Sequence, residues 1–265
     1  MRAVGIILAG GNNNRMKELT HKRAVAAMPI AGSYRSIDFA LSNMTNSHIQ
    51  KVAVLTQYNA RSLNEHLNSS KWWNFGRKQG GLYVFTPTIT NDNGYWYRGT
   101  ADAIYQNMDF LKKSHEPYVV IASGDAVYKM DYSKVLQYHI DKKADVTVVC
   151  KEMDPSDDVS RFGTIRMDDD MRITEFEEKP MVTKSNMIST GIYVIRRRLL
   201  IDLIEHAAEE ERFDFVNDVL IRYKNLKKIY GYKIDHYWSN IATVDAYYKT
   251  NMDFLKPDVR NYFFK

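Results

Sequence analysis

A chain of 265 residues, 45% hydrophobic and 26% charged, can bury a core without a disulfide or metal staple, and that balance excludes a disordered chain. Its formal charge of +5 suits an anionic partner. The basic residues are scattered, however, clustering only at 196–198 and 224–228 without interleaved aromatics, so no nucleic-acid partner is expected.

The first apolar run, residues 4–9, is too short for a secretory segment and ends in Gly10-Gly11. No stretch approaches the roughly 20 apolar residues of a membrane helix, and the single Cys150 cannot form an intrachain bridge. A cytoplasmic protein without membrane contact is expected. Along the chain, β-rich apolar runs at 4–8, 52–56, 82–85, 118–122 and 146–150 alternate with stretches of helical period. That alternation is the pattern of βαβ units and a largely parallel sheet. Ile37, Leu41 and Met44 share one helix face, Ile104, Met108 and Leu111 another, and Thr100 is placed to cap the second helix. The pairs Trp72-Trp73 and Tyr247-Tyr248 read as core or interface. After Cys150 the runs shorten to 162–167, 173–178 and 187–195, as in a second lobe of mixed sheet joined through 154–158. Two halves, 1–150 and 151–255, are therefore expected, followed by a turn at 256–258 into a short aromatic tail.

Four segments carry chemistry. Ala9, Gly10 and Gly11 follow the first strand, with Arg15 shortly after. Glycines let a backbone approach a ligand and successive free N–H groups make an anion cradle, though such a turn is structural about as often as functional. In 121–125 a buried strand ends in Ser123-Gly124-Asp125, where a carboxylate can hold Mg²⁺ on a triphosphate or cap the next helix. Glu178-Lys179-Pro180 sets an acceptor for sugar hydroxyls beside an ammonium for a phosphate, a pairing also common in surface loops. Residues 96–102 open a helix whose N-terminal amides could face an anion or could close a packed aromatic corner.

Taken in order, these segments resemble the bacterial ADP-glucose pyrophosphorylases across residues 5–255. The resemblance is carried by Leu8-Ala9-Gly10-Gly11 with Arg15, Tyr34-Arg35-Ser36-Ile37-Asp38-Phe39, Leu55-Thr56-Gln57-Tyr58 and Trp96-Tyr97-Arg98-Gly99-Thr100-Ala101. It continues through Ser123-Gly124-Asp125, Tyr128-Lys129-Met130-Asp131-Tyr132, Phe176-Glu177-Glu178-Lys179-Pro180 and Asn251-Met252-Asp253-Phe254-Leu255. It implies an α/β fold, a Rossmann-like nucleotidyltransferase domain with a mostly parallel mixed sheet between helices. It also implies a reaction in which glucose 1-phosphate attacks the α-phosphorus of ATP, releasing pyrophosphate with Mg²⁺ bound.

Carried over by position, Arg15 and Asp125 would be catalytic, and Ala9, Gly10, Gly11, Arg15, Gln57, Trp96, Gly99 and Thr100 would hold the nucleotide. Glu178, Lys179, Ser189, Asp214 and Trp238 would hold the sugar phosphate, and Asp125 the metal. Three positions depart from the family's pattern. Asn13 stands at a glycine of the first loop, Val25 at a cation, and Asn240 at the second metal carboxylate, which weakens the metal site. This combination is similar to the GlgD-type regulatory subunits of glycogen biosynthesis, which form a hetero-tetramer with a catalytic ADP-glucose pyrophosphorylase subunit. ATP, glucose 1-phosphate or sugar-phosphate effectors are the ligands so implied, and residues 256–265 would be a stub leading toward the family's C-terminal β-helix.

Overall fold

A computed structural model describes residues 2–11, 14–68, 73–75, 80–90 and 94–264. The chain begins with β1 (Ala3–Leu8), β2 (Pro29–Ile30), β3 (Tyr34–Arg35), α1 (Ser36–Asn46), β4 (Lys51–Leu55), α2 (Arg61–Leu67) and β5 (Gly81–Phe85). It continues with α3 (Thr100–Gln106), α4 (Met108–Lys112), β6 (Tyr118–Ser123), β7 (Ala126–Tyr128), α5 (Tyr132–Asp141), β8 (Val146–Glu152), β9 (Gly163–Met167), β10 (Ile173–Glu178) and β11 (Met187–Arg196). The last elements are α6 (Arg197–Glu209), β12 (Ile229–Ile234), β13 (Trp238–Asn240), α7 (Val244–Asp253) and α8 (Pro257–Phe264). Among the described residues no helix is long and apolar enough to cross a membrane.

Two compact units form, each from separate stretches of chain. The first comprises Gly5–Trp96, Ala122–Asp131 and His236–Lys265, the second Met1–Val4, Tyr97–Ile121 and Tyr132–Asp235. In the first unit β1, β4 and β5 make a parallel ladder, with Gly5 opposite Val52 and Lys51 opposite Gly81. Ile6, Ile7, Val52 and Val54 are buried, so β1 and β4 read as unbroken apolar runs, as parallel strands covered on both faces do. The α1 helix buries Ile37, Leu41 and Met44 completely, as their spacing predicts. It starts where the Arg35 N–H donates to Asp38 Oδ2 at 2.8 Å, the return half of a capping box. Within the helix, Asn43 takes the Tyr128 carbonyl and the Met130 N–H, each at 3.1 Å, and so fixes β7. β7 pairs antiparallel with β13, Trp238 opposite Tyr128 and Asn240 opposite Ala126.

Residues 257–264 are helical where a tail is expected. Pro257 sits at the first helical position, where its missing N–H costs nothing. Phe263 meets the edge of Phe39 at 5.3 Å, and Tyr262 exchanges bonds with Lys129, donating through its hydroxyl at 3.0 Å and accepting at its carbonyl at 2.8 Å. Of the aromatic pairs, Trp73 is buried with its carbonyl held by Thr45 Oγ1, and Trp72 lies outside the described residues. Tyr247 donates to the Pro29 carbonyl at 2.8 Å, whereas Tyr248 is exposed.

In the second unit β11 pairs antiparallel with β6, β8 and β9, β10 extends β9, and β12 runs parallel to β8. The α6 helix lays Leu200, Leu203, Ile204 and Ala207 inward at helical spacing. The single helix expected through Ile104, Met108 and Leu111 is broken at Asn107 (φ −113, ψ 24), yet all three side chains remain buried. The break is held by Asn107 itself, whose Nδ2 donates to the Ala103 carbonyl and to Tyr97 Oη. The α/β class read from the sequence stands, with a parallel ladder in the first unit and a mixed set of strands in the second.

Candidate functional site

In the first unit the motif residues gather at the carboxyl ends of strands. The Ala9 N–H donates to the Leu55 carbonyl at 2.8 Å, and the Gly124 N–H to the Leu8 carbonyl at 2.9 Å, so the Gly10-Gly11 turn leaves between β4 and the 123–125 turn. A Cβ on Gly124 would lie 3.2 to 3.4 Å from Ala26, Ala9 and Ile7, a tight fit that these side chains would have to relieve by small shifts. Asp125 Oδ1 accepts from Ser123 Oγ at 2.5 Å, and the Asp125 carbonyl accepts the Ile241 N–H at 2.9 Å. Asn240 lies beside it, its Nδ2 3.4 Å from that carbonyl and its Oδ1 accepting the Ala242 N–H at 3.0 Å.

The two expected metal residues are therefore neighbours. As donors they are one carboxylate and one neutral amide whose oxygen is already engaged, a poor set for Mg²⁺, which prefers charged oxygens and near-ideal geometry. Among the described residues no group of three metal-ligating side chains occurs. Arg15 is exposed on the 3₁₀ segment Asn14–Thr20, which is kinked at Lys17 (φ 49, ψ −131) and anchored in the core by Met16. Asn13 lies outside the described residues. Val25 is 7% exposed and packs in an apolar cluster with Met16, Met28, Ile30, Val127 and Ile241. Gln57 and Trp96 line one pocket of about 240 Å³ with Pro87, Ile89 and Tyr95, and Trp96 stacks on Tyr58 with ring centroids 5.7 Å apart. Trp238 is buried in this unit, on β13.

In the second unit the start of α3 differs from expectation. Gly99, not Thr100, is the N-cap. The Ala101 and Asp102 N–H groups both bond to the Phe213 carbonyl, at 2.8 and 3.3 Å, and Thr100 Oγ1 accepts the Phe215 N–H at 2.9 Å. These amides hold residues 213–215 instead of facing an open anion site. A Cβ on Gly99 would lie 2.3 Å from the Phe213 carbonyl oxygen, so the approach requires glycine. Arg98 fastens the same corner, its guanidinium 3.9 Å above the Phe213 ring and 3.1 Å from Asp102.

The second-unit residues that the resemblance assigns to a sugar phosphate lie on or just after β10, on β11 and in the segment that follows α6. Glu178 ends β10 with its side chain largely covered, and Lys179 Nζ is 3.2 Å from its Oε1. Burial raises the Glu178 carboxyl above its ordinary range; the Lys179 charge and hydrogen bond oppose this and the Asp214 charge adds to it. Asp214 caps the π-helical segment Phe215–Ile221, accepting the Asn217 N–H at 2.7 Å. Ser189 Oγ lies 3.2 Å from the Tyr193 hydroxyl. Tyr193 is absent from the sequence-based set: its ring lies 5.3 Å from that of Phe215, the residue after Asp214, and burial raises its phenol, with Ser189 opposing and the charges of Glu178 and Asp214 adding to it. Nothing in the sequence announced it, because β11 is irregular between the two residues, its register to β8 shifting between Ser189 and Ile192 with Gly191 at φ 75.

The Nucleotidyl transferase family model matches residues 4–257. The glucose-1-phosphate adenylyltransferase of Clostridium novyi (strain NT) is 42% identical over 261 residues, covering 97% of this chain and 68% of the relative. That of Thermosipho melanesiensis is 40% identical, covering 96% and 62%, and that of Bacillus thuringiensis (strain Al Hakam) 42% identical, covering 97% and 69%. The chain thus spans about two thirds of the length of these relatives. A Bacillus anthracis protein described as a glucose-1-phosphate thymidylyltransferase, solved with a sucrose, has the same fold at a TM-score of 0.75 and 21% identity, covering 95% of this chain and 94% of that one.

Proposed function

The chain belongs to the nucleotidyl transferase family, within the ADP-glucose pyrophosphorylase group, and we propose that it serves glycogen synthesis as a subunit that binds a sugar phosphate, turns over ATP weakly and raises the activity of a catalytic partner. The observation that carries this reading is Val25. At the position matching the family's cation stands a valine packed into an apolar cluster, so the charge is replaced by core.

Joining glucose 1-phosphate to the α-phosphorus of ATP needs an in-line approach and neutralisation of the charge that develops. In this chain Glu178 would accept sugar hydroxyls, and Lys179 Nζ would pair with the phosphate after leaving Glu178 Oε1. Arg15 would remain as the cation beside the Gly10-Gly11 turn. Asp125 and Asn240 would be the residues to hold Mg²⁺, which would supply charge neutralisation, and one carboxylate with a neutral amide is a weak anchor for it.

The test is ADP-glucose formation by the full-length protein, alone and mixed with the catalytic subunit from the same source. Negligible turnover alone with enhancement of the partner is expected; full turnover alone, or no effect on the partner, refutes the reading. A second reading, an active adenylyltransferase, is favoured by the 40% and 42% identity to proteins so named and by the intact Asp125. The same assay separates the two. Calorimetry with glucose 1-phosphate tests the binding half, and Glu178→Ala should weaken that binding about 10-fold or more by removing a charged acceptor.

A further inference from the structure

Directly after the Glu178-Lys179 pair the chain presents Met181, 97% exposed, and Val182, 76% exposed. Water gains nothing from two bare apolar side chains. The backbone before them is strained. Lys179 has φ 47, whereas a residue preceding proline is steered to the extended region and a non-glycine residue seldom enters the left-handed one. Such strain persists where surrounding contacts hold it, and it gathers at ligand clamps and switches.

Two contacts hold it here: the Lys179 N–H on the Phe162 carbonyl at 3.2 Å and the ammonium on Glu178 at 3.2 Å. The second is the one a phosphate would compete for. Beyond the tip the chain is pinned again, by Arg166 Nη2 on the Lys184 carbonyl at 3.0 Å and Ser185 Oγ on the Ile165 carbonyl at 2.7 Å. Residues 180–183 are thus a short flap between a strained hinge and a fixed anchor. The Met181 Cα lies within roughly 7 Å of that of Lys179 by chain length alone, close enough to cover what Lys179 binds.

We propose that residues 180–183 are a lid that closes Met181 and Val182 over a sugar phosphate held by Glu178 and Lys179. The proposal rests on the reading of that pair as a sugar-phosphate site. When a phosphate draws Nζ from Glu178, one restraint on Lys179 is removed, the backbone relaxes toward extended geometry, and the tip swings onto the sugar. Covering the ion pair excludes water and strengthens it.

The test is oxidation of the full-length protein by hydrogen peroxide, read residue by residue by peptide mass spectrometry, with calorimetry in parallel. Saturating glucose 1-phosphate should slow sulfoxide formation at Met181 at least about 5-fold, since oxidation follows exposure, and leave Met252, 40% exposed, unchanged. Binding by calorimetry without protection of Met181 refutes the lid and leaves the site standing. Absence of binding refutes both. Protection by the catalytic subunit without sugar phosphate makes the tip a subunit contact and overturns closure. The double variant Met181→Ser, Val182→Ser alters only exposed side chains and should raise the glucose 1-phosphate Kd about 10-fold, as removing two apolar side chains from the covering face would, and that for inorganic phosphate by a smaller factor, because only the sugar meets the apolar tip. Equal change for both ligands, or none, counts against it.

Discussion

If missing charges silence the triphosphate chemistry, returning them should restore it, and the structure sets what each return costs. Asn240→Asp is nearly isosteric: its Oδ1 bond from the Ala242 N–H at 3.0 Å survives, and only the long 3.4 Å approach of Nδ2 to the Asp125 carbonyl is given up. A second carboxylate then stands beside Asp125, and its repulsion should lower stability until a cation lies between the two. Val25→Lys is different, because the valine is 7% exposed among apolar side chains. Losing its burial costs about 1.5 to 3 kcal/mol, and the ammonium must reach water along its stem or be desolvated at further cost. A net loss of about 3 kcal/mol would lower Tm by roughly 6 to 12 °C in a domain of this size.

Against that stands the chemistry. One preorganised charge contact is typically worth about 3 to 4 kcal/mol, or roughly 10² to 10³ in rate. The double variant should therefore release pyrophosphate at least about 10-fold faster than the parent, allowing for non-additivity between groups that act together. The assay uses full-length protein with saturating ATP, Mg²⁺ and glucose 1-phosphate, below the variant's Tm, with Asp125→Ala in the restored background as the blank. A folded double variant as inert as that blank refutes the reasoning and moves suspicion to the loop containing Asn13.

Three further outcomes are expected. His139 is held down at about 4 from 6.5, by burial first and the Arg196 charge second, against a smaller opposing effect of Asp145. The unfolded chain therefore takes up its proton first, so stability is lost as pH falls from 6.5 toward 4, by about 3 kcal/mol in all; His139→Gln should flatten that part of the denaturant-midpoint profile, and an unchanged slope would sink the assignment. Burial pushes the Cys150 thiol up to about 12, so a disulfide reagent should modify it only as the protein unfolds; rapid labelling of native protein would contradict this. Gly99→Ala drives a methyl to 2.3 Å from the Phe213 carbonyl oxygen, so a destabilisation of about 1 to 3 kcal/mol is expected in urea unfolding, and a neutral result would mean that the 213–215 corner yields.

Periodicity made β1, β4, β6, β8 and the inward face of α1 legible, because burial on both sides of a strand or one side of a helix writes directly into residue type. The break at Asn107 did not show. Its cause is a side-chain amide competing for backbone groups, which leaves the apolar spacing of Ile104, Met108 and Leu111 untouched. Thr100 looked like a cap on type alone, but its hydroxyl serves Phe215, 115 residues away in sequence. Helix α8 was missed because its polar and aromatic residues carry no clear amphipathic stripe, and what seats it is Phe263 against Phe39. For the candidate site, residue identity singled out Asp125, Asn240, Glu178 and Lys179. It could not reveal that the α3 amides are already satisfied, or that Tyr193 joins Ser189.

The direction of the departures has a physical reading of its own. A cation at position 25 would have to be held among Met16, Val127 and Ile241 and kept charged there, at a continuing desolvation cost. A second carboxylate at position 240 would repel Asp125 whenever no cation lay between them. Valine and asparagine remove both penalties, one by adding apolar burial and the other by bonding to Ala242. On the proposed reading, each change favours a stable fold over turnover. In the second unit the bonds Ser189–Tyr193, Asp214–Asn217 and Glu178–Lys179 involve no first-unit residue. On the proposed reading that set would persist while the other relaxes, leaving binding without turnover.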